Sequence, residues 1–172
     1  MEPLALEVPN TDGVYFVPAF VGLGAPWWDP RARAVMIGMT RGTTKAHLAR
    51  AVIESMAFQT ADVVQVMQEE SGVTLKELRV DGGASVMNLL LQMQADVLGV
   101  NVRRPRIAET TALGAALLAG LKMGIWESLE HIEEIWKEER EAFPGPDKED
   151  MAERRTIWRR AVKRSLDWAT EC

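Results

Sequence analysis

The segment "LRVDGGASVMN", Leu78–Asn88, places an acidic residue and two adjacent glycines between a strand-like run and a helix-like run. A helix that begins directly after a glycine turn offers free N–H groups and the positive end of its dipole to an anion or a polar ring edge. Without side chains at Gly82 and Gly83, a flat group could lie on the backbone, and Ser85 could cap the helix, with Asn88 three residues later. The alternative interpretation is a tight turn whose glycines only provide positive φ angles.

Two well-known phosphate-binding patterns are absent from this segment. The chain contains neither the G-x-G-x-x-G fingerprint nor a Gly-Lys-Ser/Thr sequence. The glycine pair therefore predicts a ligand only through its position after a strand, since ligands of open α/β sheets bind at the carboxyl ends of strands.

The loop "GLGAPWWDPRAR" combines Trp27 and Trp28 with the charged residues Asp29, Arg31 and Arg33. The aromatic and charged side chains could form one wall of a substrate or nucleotide cleft. They could equally belong to an anchored loop whose tryptophans pack for stability and whose charges pair at its rim. Because buried aromatic residues usually serve packing, the anchored loop is the favoured interpretation.

Other chemistry-bearing residues have structural interpretations. His47 begins a predicted helix, where a capping or solvated role is favoured because no serine or cysteine stands at a recognisable triad spacing. Glu54 and Asp62 lie eight residues apart on that helix and are interpreted as a polar stripe. The basic run "RRTIWRRAVKRS" follows "DKEDMAE", which favours ion pairing along an amphipathic helix over nucleic-acid binding.

Composition restricts the possible classes of protein. The chain has 172 residues, 47% hydrophobic and 26% charged, which is typical of a globular domain with its own core. No apolar run approaches the roughly 20 residues that span a bilayer, and "MEPLALEVPNTDG" lacks the pattern of a secretory signal. We therefore expect a cytoplasmic protein with no membrane partner, and the net charge of −5 argues against nucleic acid. With Cys172 as the only cysteine, and His47 and His131 as the only histidines, we expect neither a disulfide nor a metal site.

The order of predicted elements indicates an α/β fold. Residues 1–13 are interpreted as a connector, residues 14–125 as a partial α/β domain, and residues 126–172 as helices that pack on it. Five helices are predicted: Lys45–Glu70, which Gly72 ends; Ser85 to Gly99; a helix with Thr110 or Thr111 as its N-cap; "LEHIEEIWKEER"; and Lys148 to Thr170. Four strands are predicted, at Val14–Phe20, Ala34–Thr40, "ELRVDGG" and "VNVRRP". Alternation of helix and strand predicts a parallel sheet. Two parallel strands and a hairpin make a thin sheet, so we expect part of the sheet to lie outside the chain.

Several segments together resemble the C-terminal portion of the FGGY carbohydrate kinases, and among them the glycerol kinases. They are "VYFVPAFVGLGAPWWDPRAR", "HLARAVIESMAFQTADV", "LRVDGGASVMNLLLQMQADVLGVNVRRP" and "ETTALGAALLAG", and Ala34–Glu54 is similar to the family's C-terminal signature. The resemblance implies an actin-like, ribonuclease-H-like ATPase fold. In that fold the chain would be the second kinase domain without its first strands, with extra C-terminal helices.

The resemblance also implies a role for the glycine turn. In this family the Asp-Gly-Gly turn packs against the adenine and ribose of ATP, which implies nucleotide contacts for Gly82, Gly83, Ala84, Met87 and Asn88. Two departures from the family pattern are present. Met87 stands where the family has its nucleotide-facing asparagine, and Ala34 stands where the family usually has glycine.

The implied activity is transfer of the γ-phosphoryl group of ATP to glycerol, with Mg²⁺ in the full-length enzyme. The regions that carry the phosphate loops, the glycerol-binding residues and the catalytic aspartate are not among these residues. We therefore expect an isolated chain with no catalytic residue of its own, no kinase activity and no tightly bound cofactor. Its expected partner is the remainder of the kinase, in cis or in trans, and homo-oligomers are possible. The alternatives are a non-catalytic interaction module and part of a sister kinase acting on xylulose or gluconate.

Overall fold

The computed structural model describes residues 1–107, 109–133 and 137–170. Its elements are α1 (Glu2–Ala5), β1 (Tyr15–Val17), β2 (Val35–Ile37), α2 (Lys45–Ser71), β3 (Glu77–Arg79), a 3₁₀ turn (Gly83–Val86), α3 (Asn88–Leu98), β4 (Asn101–Pro105), α4 (Thr110–Lys122), α5 (Leu129–Glu133), β5 (Glu138–Ala142) and α6 (Lys148–Ser165). Strands β1 and β2 form an antiparallel hairpin, and β4 lies between β3, which is parallel to it, and β5, which is antiparallel. The α/β class is confirmed, and the two sheets are small, as expected.

Helix α2 is the longest element, and local sequence signals set both of its ends. At its start the backbone N–H of Thr44 donates to Nδ1 of His47 over 3.0 Å, so the capping role predicted for His47 is confirmed. At its end Gly72 adopts the left-handed conformation with φ 68°, and its N–H donates to the carbonyl of Gln68. These signals are local, which is why the sequence located this helix to within one residue.

The main core lies where α2, α3 and α6 meet the β1–β2 hairpin. Its largest members are Trp158, Phe58 and Ile53, each exposed by 1% or less. The sequence predicts one apolar stripe on the last helix, made of Trp158, Ala161, Val162, Leu166 and Ala169. The first three are buried in this core and Leu166 packs against it, whereas Ala169 lies beyond the end of α6. A second, smaller core fills the space between α3 and the three-stranded sheet; its buried members are Leu91, Ala95, Val102 and Ala142.

Two buried carboxylates fasten α6 to α2, so interpreting Glu54 and Asp62 as a polar stripe was wrong. Each is only 1% exposed. Glu54 pairs with Arg154, and Asp62 pairs with Arg155 at 2.8 Å and with Arg159 at 3.0 Å. Their partners lie on α6, far away along the chain. The prediction of an amphipathic helix for the basic run is confirmed, but its strongest ion pairs reach across to α2.

Burial raises the pKa of Glu54 from its ordinary 4.5 to about 7, although the positive charges of Arg154 and Arg50 act in the opposite direction. Between these two pH values the folded protein keeps a proton that the unfolded chain releases. The contribution of Glu54 to stability is therefore largest below pH 4.5 and falls as the pH rises to about 7.

We accordingly expect the titration of Glu54 to lower the free energy of unfolding by about 3 kcal/mol between about pH 4 and about pH 8. Urea unfolding of the protein and of Glu54→Gln across that range measures it. The difference in free energy of unfolding between the unaltered protein and Glu54→Gln should change with pH only over this interval. A pH-independent difference would show that Glu54 titrates normally in the fold.

The segment after α5 differs from the prediction. The predicted helix extended to Arg140, but Glu138–Ala142 forms the edge strand β5, and residues 134–136 of the same run lie outside the described part of the chain. Ion pairs to β4 stabilise the strand against its helical propensity: Arg103 pairs with Glu141 at 2.8 Å, and Arg104 pairs with Glu139 at 2.7 Å. The region 126–172 thus adds a strand to the sheet as well as helices.

Four further boundaries require correction. Residues 1–13 are not a bare connector, since α1 packs on α2 and both Ala5 and Thr11 are buried. Helix α3 begins at Asn88 after a separate 3₁₀ turn, and the N-cap of α4 is Glu109 instead of a threonine. Helix α6 ends at Ser165, before Thr170. Cys172 lies outside the described residues.

The small residues of "TTALGAALLAGLKMG" predict a helix that lies close against a sheet or another helix, but α4 does not pack in this way. Gly120 is its one buried residue, lying against the ring of Trp126. Leu118 of α4 is 63% exposed, and Met123 and Ile125, which follow it, are 78% and 65% exposed. An apolar helix surface therefore faces away from the rest of the described chain.

Across the described ranges, each helix is too short or too polar to traverse a lipid bilayer. Residues 1–107, 109–133 and 137–170 also contain no group of three or more His, Cys, Asp or Glu side chains that could hold a metal ion.

Candidate functional site

The glycine turn is an open stretch of backbone at the carboxyl end of β3. Gly82 has φ 77°, a left-handed conformation that favours glycine, and it leads into the 3₁₀ turn. A Cβ atom placed on Gly82 or Gly83 would have no heavy atom within 4 Å. Gly83, Ala84 and Asn88 are exposed, and Gly82 and Met87 are half-buried. The space that a side chain would enter from either glycine is therefore open among the described residues, so a flat group could reach the backbone there.

Hydrogen bonds below the surface fix the shape of this turn. Ser85 is 3% exposed, and its hydroxyl donates to the carbonyl of Gly82 over 2.7 Å. The carbonyl of Ser85 in turn accepts a 2.7 Å bond from Nη1 of the buried Arg104 on β4. Ser85 therefore braces the turn from inside, and the prediction that its side chain caps the following helix was wrong.

The start of α3 is held by a residue that the sequence did not single out. The carboxylate of Glu2 accepts a 2.6 Å hydrogen bond from the backbone N–H of Leu89. Because an acidic group is favourable at the positive end of a helix dipole, Glu2 performs the capping role that was assigned to Ser85. The partners are 87 positions apart. No local spacing rule could have found this contact.

Met87 and Asn88 face different surroundings. Met87 packs against the main core, so it contributes an apolar surface beside the turn. Asn88 is exposed and lines a cavity of about 700 Å³ between α1, α3 and the segment that follows β5. All five predicted residues lie on one continuous segment, with Asn88 as the one side chain among them that can both donate and accept hydrogen bonds.

The tryptophan loop is an anchored loop, as favoured from the sequence. Nε1 of Trp27 donates to the Asp62 carboxylate over 3.2 Å. The Asp29 carboxylate accepts backbone N–H bonds from Asp167, Arg31 and Ala32, and these bonds, that from Asp167 foremost, lower its pKa. The prediction that both tryptophans pack is wrong for Trp28, which is 75% exposed.

The amino-acid sequence is similar to that of a known enzyme family. The model of the FGGY family of carbohydrate kinases, C-terminal domain, matches residues 2–123. The chain belongs to this family. The chain is also 57% identical over 169 residues to glycerol kinase 1 of Saccharolobus solfataricus, and 54% identical over 169 residues to glycerol kinase 2 of Sulfolobus acidocaldarius. In both comparisons 98% of this chain is aligned with 34% of the relative, so the chain spans about a third of their length.

Solved structures agree with the family assignment. The crystal structure of Plasmodium falciparum glycerol kinase with ADP matches with a TM-score of 0.84 and 35% identity, covering 96% of this chain and 33% of that one. Ligand-bound xylulose kinase from Lactobacillus acidophilus matches with a TM-score of 0.76 at 24% identity, over 94% of this chain and 33% of that one, and supports the fold alone. The resemblance to the FGGY kinases and the partial ribonuclease-H-like fold are confirmed.

Proposed function

We propose that this chain forms the adenosine-side wall of a glycerol kinase, which transfers a phosphoryl group from ATP to glycerol and yields ADP and glycerol 3-phosphate. The observation that carries the proposal is the uncovered turn at Gly82 and Gly83, at the carboxyl end of β3. Its position is the one at which open α/β sheets bind ligands. The two relatives from Saccharolobus and Sulfolobus are glycerol kinases, and the Plasmodium falciparum glycerol kinase was solved with ADP.

In this proposal the purine and ribose lie on the backbone from Gly82 to Ala84. Met87 offers an apolar edge for the ring, and Asn88 offers an amide to a polar group of the nucleoside. A surface made mostly of backbone and one amide supplies few strong contacts, because charge-assisted bonds to phosphate are absent from it. We therefore expect ADP to bind this chain weakly.

The chemistry itself is assigned to the remainder of the kinase. Phosphoryl transfer requires positioning of the phosphates, Mg²⁺ to neutralise their charge, and a group that orients the attacking hydroxyl. We assign Mg²⁺ and glycerol to the full enzyme. Closure of two domains would then exclude water from the reacting groups.

Helix α4 is the proposed contact surface for that remainder. Leu118 of α4 and the residues Met123 and Ile125 just after it are all exposed, and exposed apolar residues that lie near one another indicate a contact surface. Together with the small sheets, this surface supports the interpretation that further elements of the same kinase pack here.

A coupled assay of glycerol-dependent ATP turnover tests the function. We expect no turnover by the 172-residue chain alone, and restored turnover when the remaining two-thirds of Saccharolobus solfataricus glycerol kinase 1 is added in trans. Leu118→Asp on α4 should reduce the restored activity, whereas Val21→Asp, at a site that is 93% exposed on another loop, should not.

Two outcomes would contradict this account. Turnover by the chain alone would show that the catalytic residues are present in it. Failure of the added part to restore activity, together with binding of an unrelated protein to α4, would instead support a non-catalytic interaction module.

A further inference from the structure

We infer that Arg104 and Glu139 are positioning residues for the nucleotide turn, linked in the order Glu139, Arg104, Ser85, Gly82. The inference rests on the proposed function, because it concerns how the same turn is kept ready for a nucleotide. It also gives the strand β5 a role in the site, although none of its residues belongs to the turn.

These four residues form a continuous chain of hydrogen bonds, which we call the relay. Nε and Nη2 of Arg104 donate to the two carboxylate oxygens of Glu139 over 2.7 and 3.1 Å, which is the bidentate geometry that fixes a guanidinium plane. The remaining Nη1 donates to the carbonyl of Ser85 over 2.7 Å. Ser85 then donates through its hydroxyl to the carbonyl of Gly82 over 2.7 Å.

Burial makes the hydrogen bonds of Arg104 and Ser85 costly to lose. Arg104 is 6% exposed and Ser85 is 3% exposed, so neither finds water as a substitute partner when a bond is lost. Glu139 is half-exposed and lies on the edge strand, where it can be changed without opening the core. Loss of the Arg104 bond would free the Ser85 carbonyl and with it the 3₁₀ turn that follows Gly82.

Arg103 provides a matched control on the same strand. It is the neighbouring arginine and is also paired with β5, at 2.8 Å to Glu141, and with Glu77 of β3 at 3.2 Å. It has no bond to the turn among the contacts of the described residues. Arg103→Gln therefore removes comparable cross-strand ion pairs and leaves the relay to Ser85 intact.

The experiment follows backbone amide resonances and amide hydrogen exchange by NMR during ADP titration of the 172-residue chain and its variants. We expect Arg104→Gln to shift the amides of Gly82 and Gly83 without nucleotide, to speed exchange at Ser85, whose N–H bonds the Gly82 carbonyl, and to weaken ADP binding about tenfold. Arg103→Gln should leave these three quantities unchanged. Arg104→Lys, which can reach one partner but not both, should fall between them.

Equal ADP affinity and equal turn spectra for Arg104→Gln and Arg103→Gln would overturn the inference. Should Arg104→Gln fail to fold, Glu139→Gln carries the same test with a smaller expected shift, and no change in the turn would again overturn it. A lack of ADP response in the unaltered chain contradicts the proposed function alone, because the spectra and exchange without nucleotide still decide whether the relay holds the turn.

Discussion

Replacement of Trp158 by alanine is expected to cost the domain about 3–5 kcal/mol of unfolding free energy, the largest effect of any single change to its core. Trp158 is 1% exposed and contacts Phe58, with ring centroids 5.7 Å apart. The substitution removes the most voluminous buried side chain and leaves a cavity between α2, α6 and β1. It also leaves the carbonyl of Phe16 without the 3.2 Å bond it accepts from the indole N–H.

Urea unfolding at constant pH measures this effect, with Trp168→Ala as the control. Trp168 is 72% exposed, so its replacement should change stability by no more than about 0.5 kcal/mol. Since small domains are stable by about 5–15 kcal/mol in total, the Trp158 variant should lose a large share of that stability. Similar values for the two variants would mean that α6 does not pack on α2 as described.

Gly83→Val is expected to abolish measurable ADP binding while leaving stability nearly unchanged. The free protein has room for the added side chain, because a Cβ at Gly83 would meet no heavy atom within 4 Å. Its φ is not in the left-handed region, so valine is not strained there as it would be at Gly82. In the complex the isopropyl group would occupy the surface on which the nucleoside is proposed to lie, and about tenfold or more in affinity should be lost.

Gly114→Val is the matched control for this substitution. Gly114 lies in α4, and its Cβ position is likewise free of neighbours within 4 Å. Calorimetric titration with ADP should find binding unchanged in the Gly114 variant and lost in the Gly83 variant, with similar unfolding midpoints. If Gly83→Val bound ADP normally, the interpretation of the glycines as a plain strand-to-helix turn would be favoured.

The features that the sequence located correctly are those whose signals are local. The 3.6-residue periodicity and the Thr44 and Gly72 caps located α2, and the apolar stripe around Trp158 located the buried face of α6. The glycine pair after β3 pointed to an open turn for the same reason, since the absence of side chains at Gly82 and Gly83 is a property of the residues themselves.

The features that the sequence did not locate depend on distant partners. "EEREA" has the composition of a helix, but it is a strand because it pairs with β4, and the ion pairs to Arg103 and Arg104 support that pairing. Asp62 resembled a surface residue because Arg155 lies 93 positions later in the chain. Glu2 caps α3 although it lies 87 positions before Leu89 in the chain. Long-range pairing of this kind overrides local propensity and leaves no periodic signal.

The most direct test of the central claim is the map of backbone amides that respond to ADP in the unaltered 172-residue chain. The account predicts weak, saturable shifts concentrated on Gly82, Gly83, Ala84, Met87 and Asn88. Absence of any saturable shift, or shifts centred elsewhere, for example beside Trp27, would contradict it.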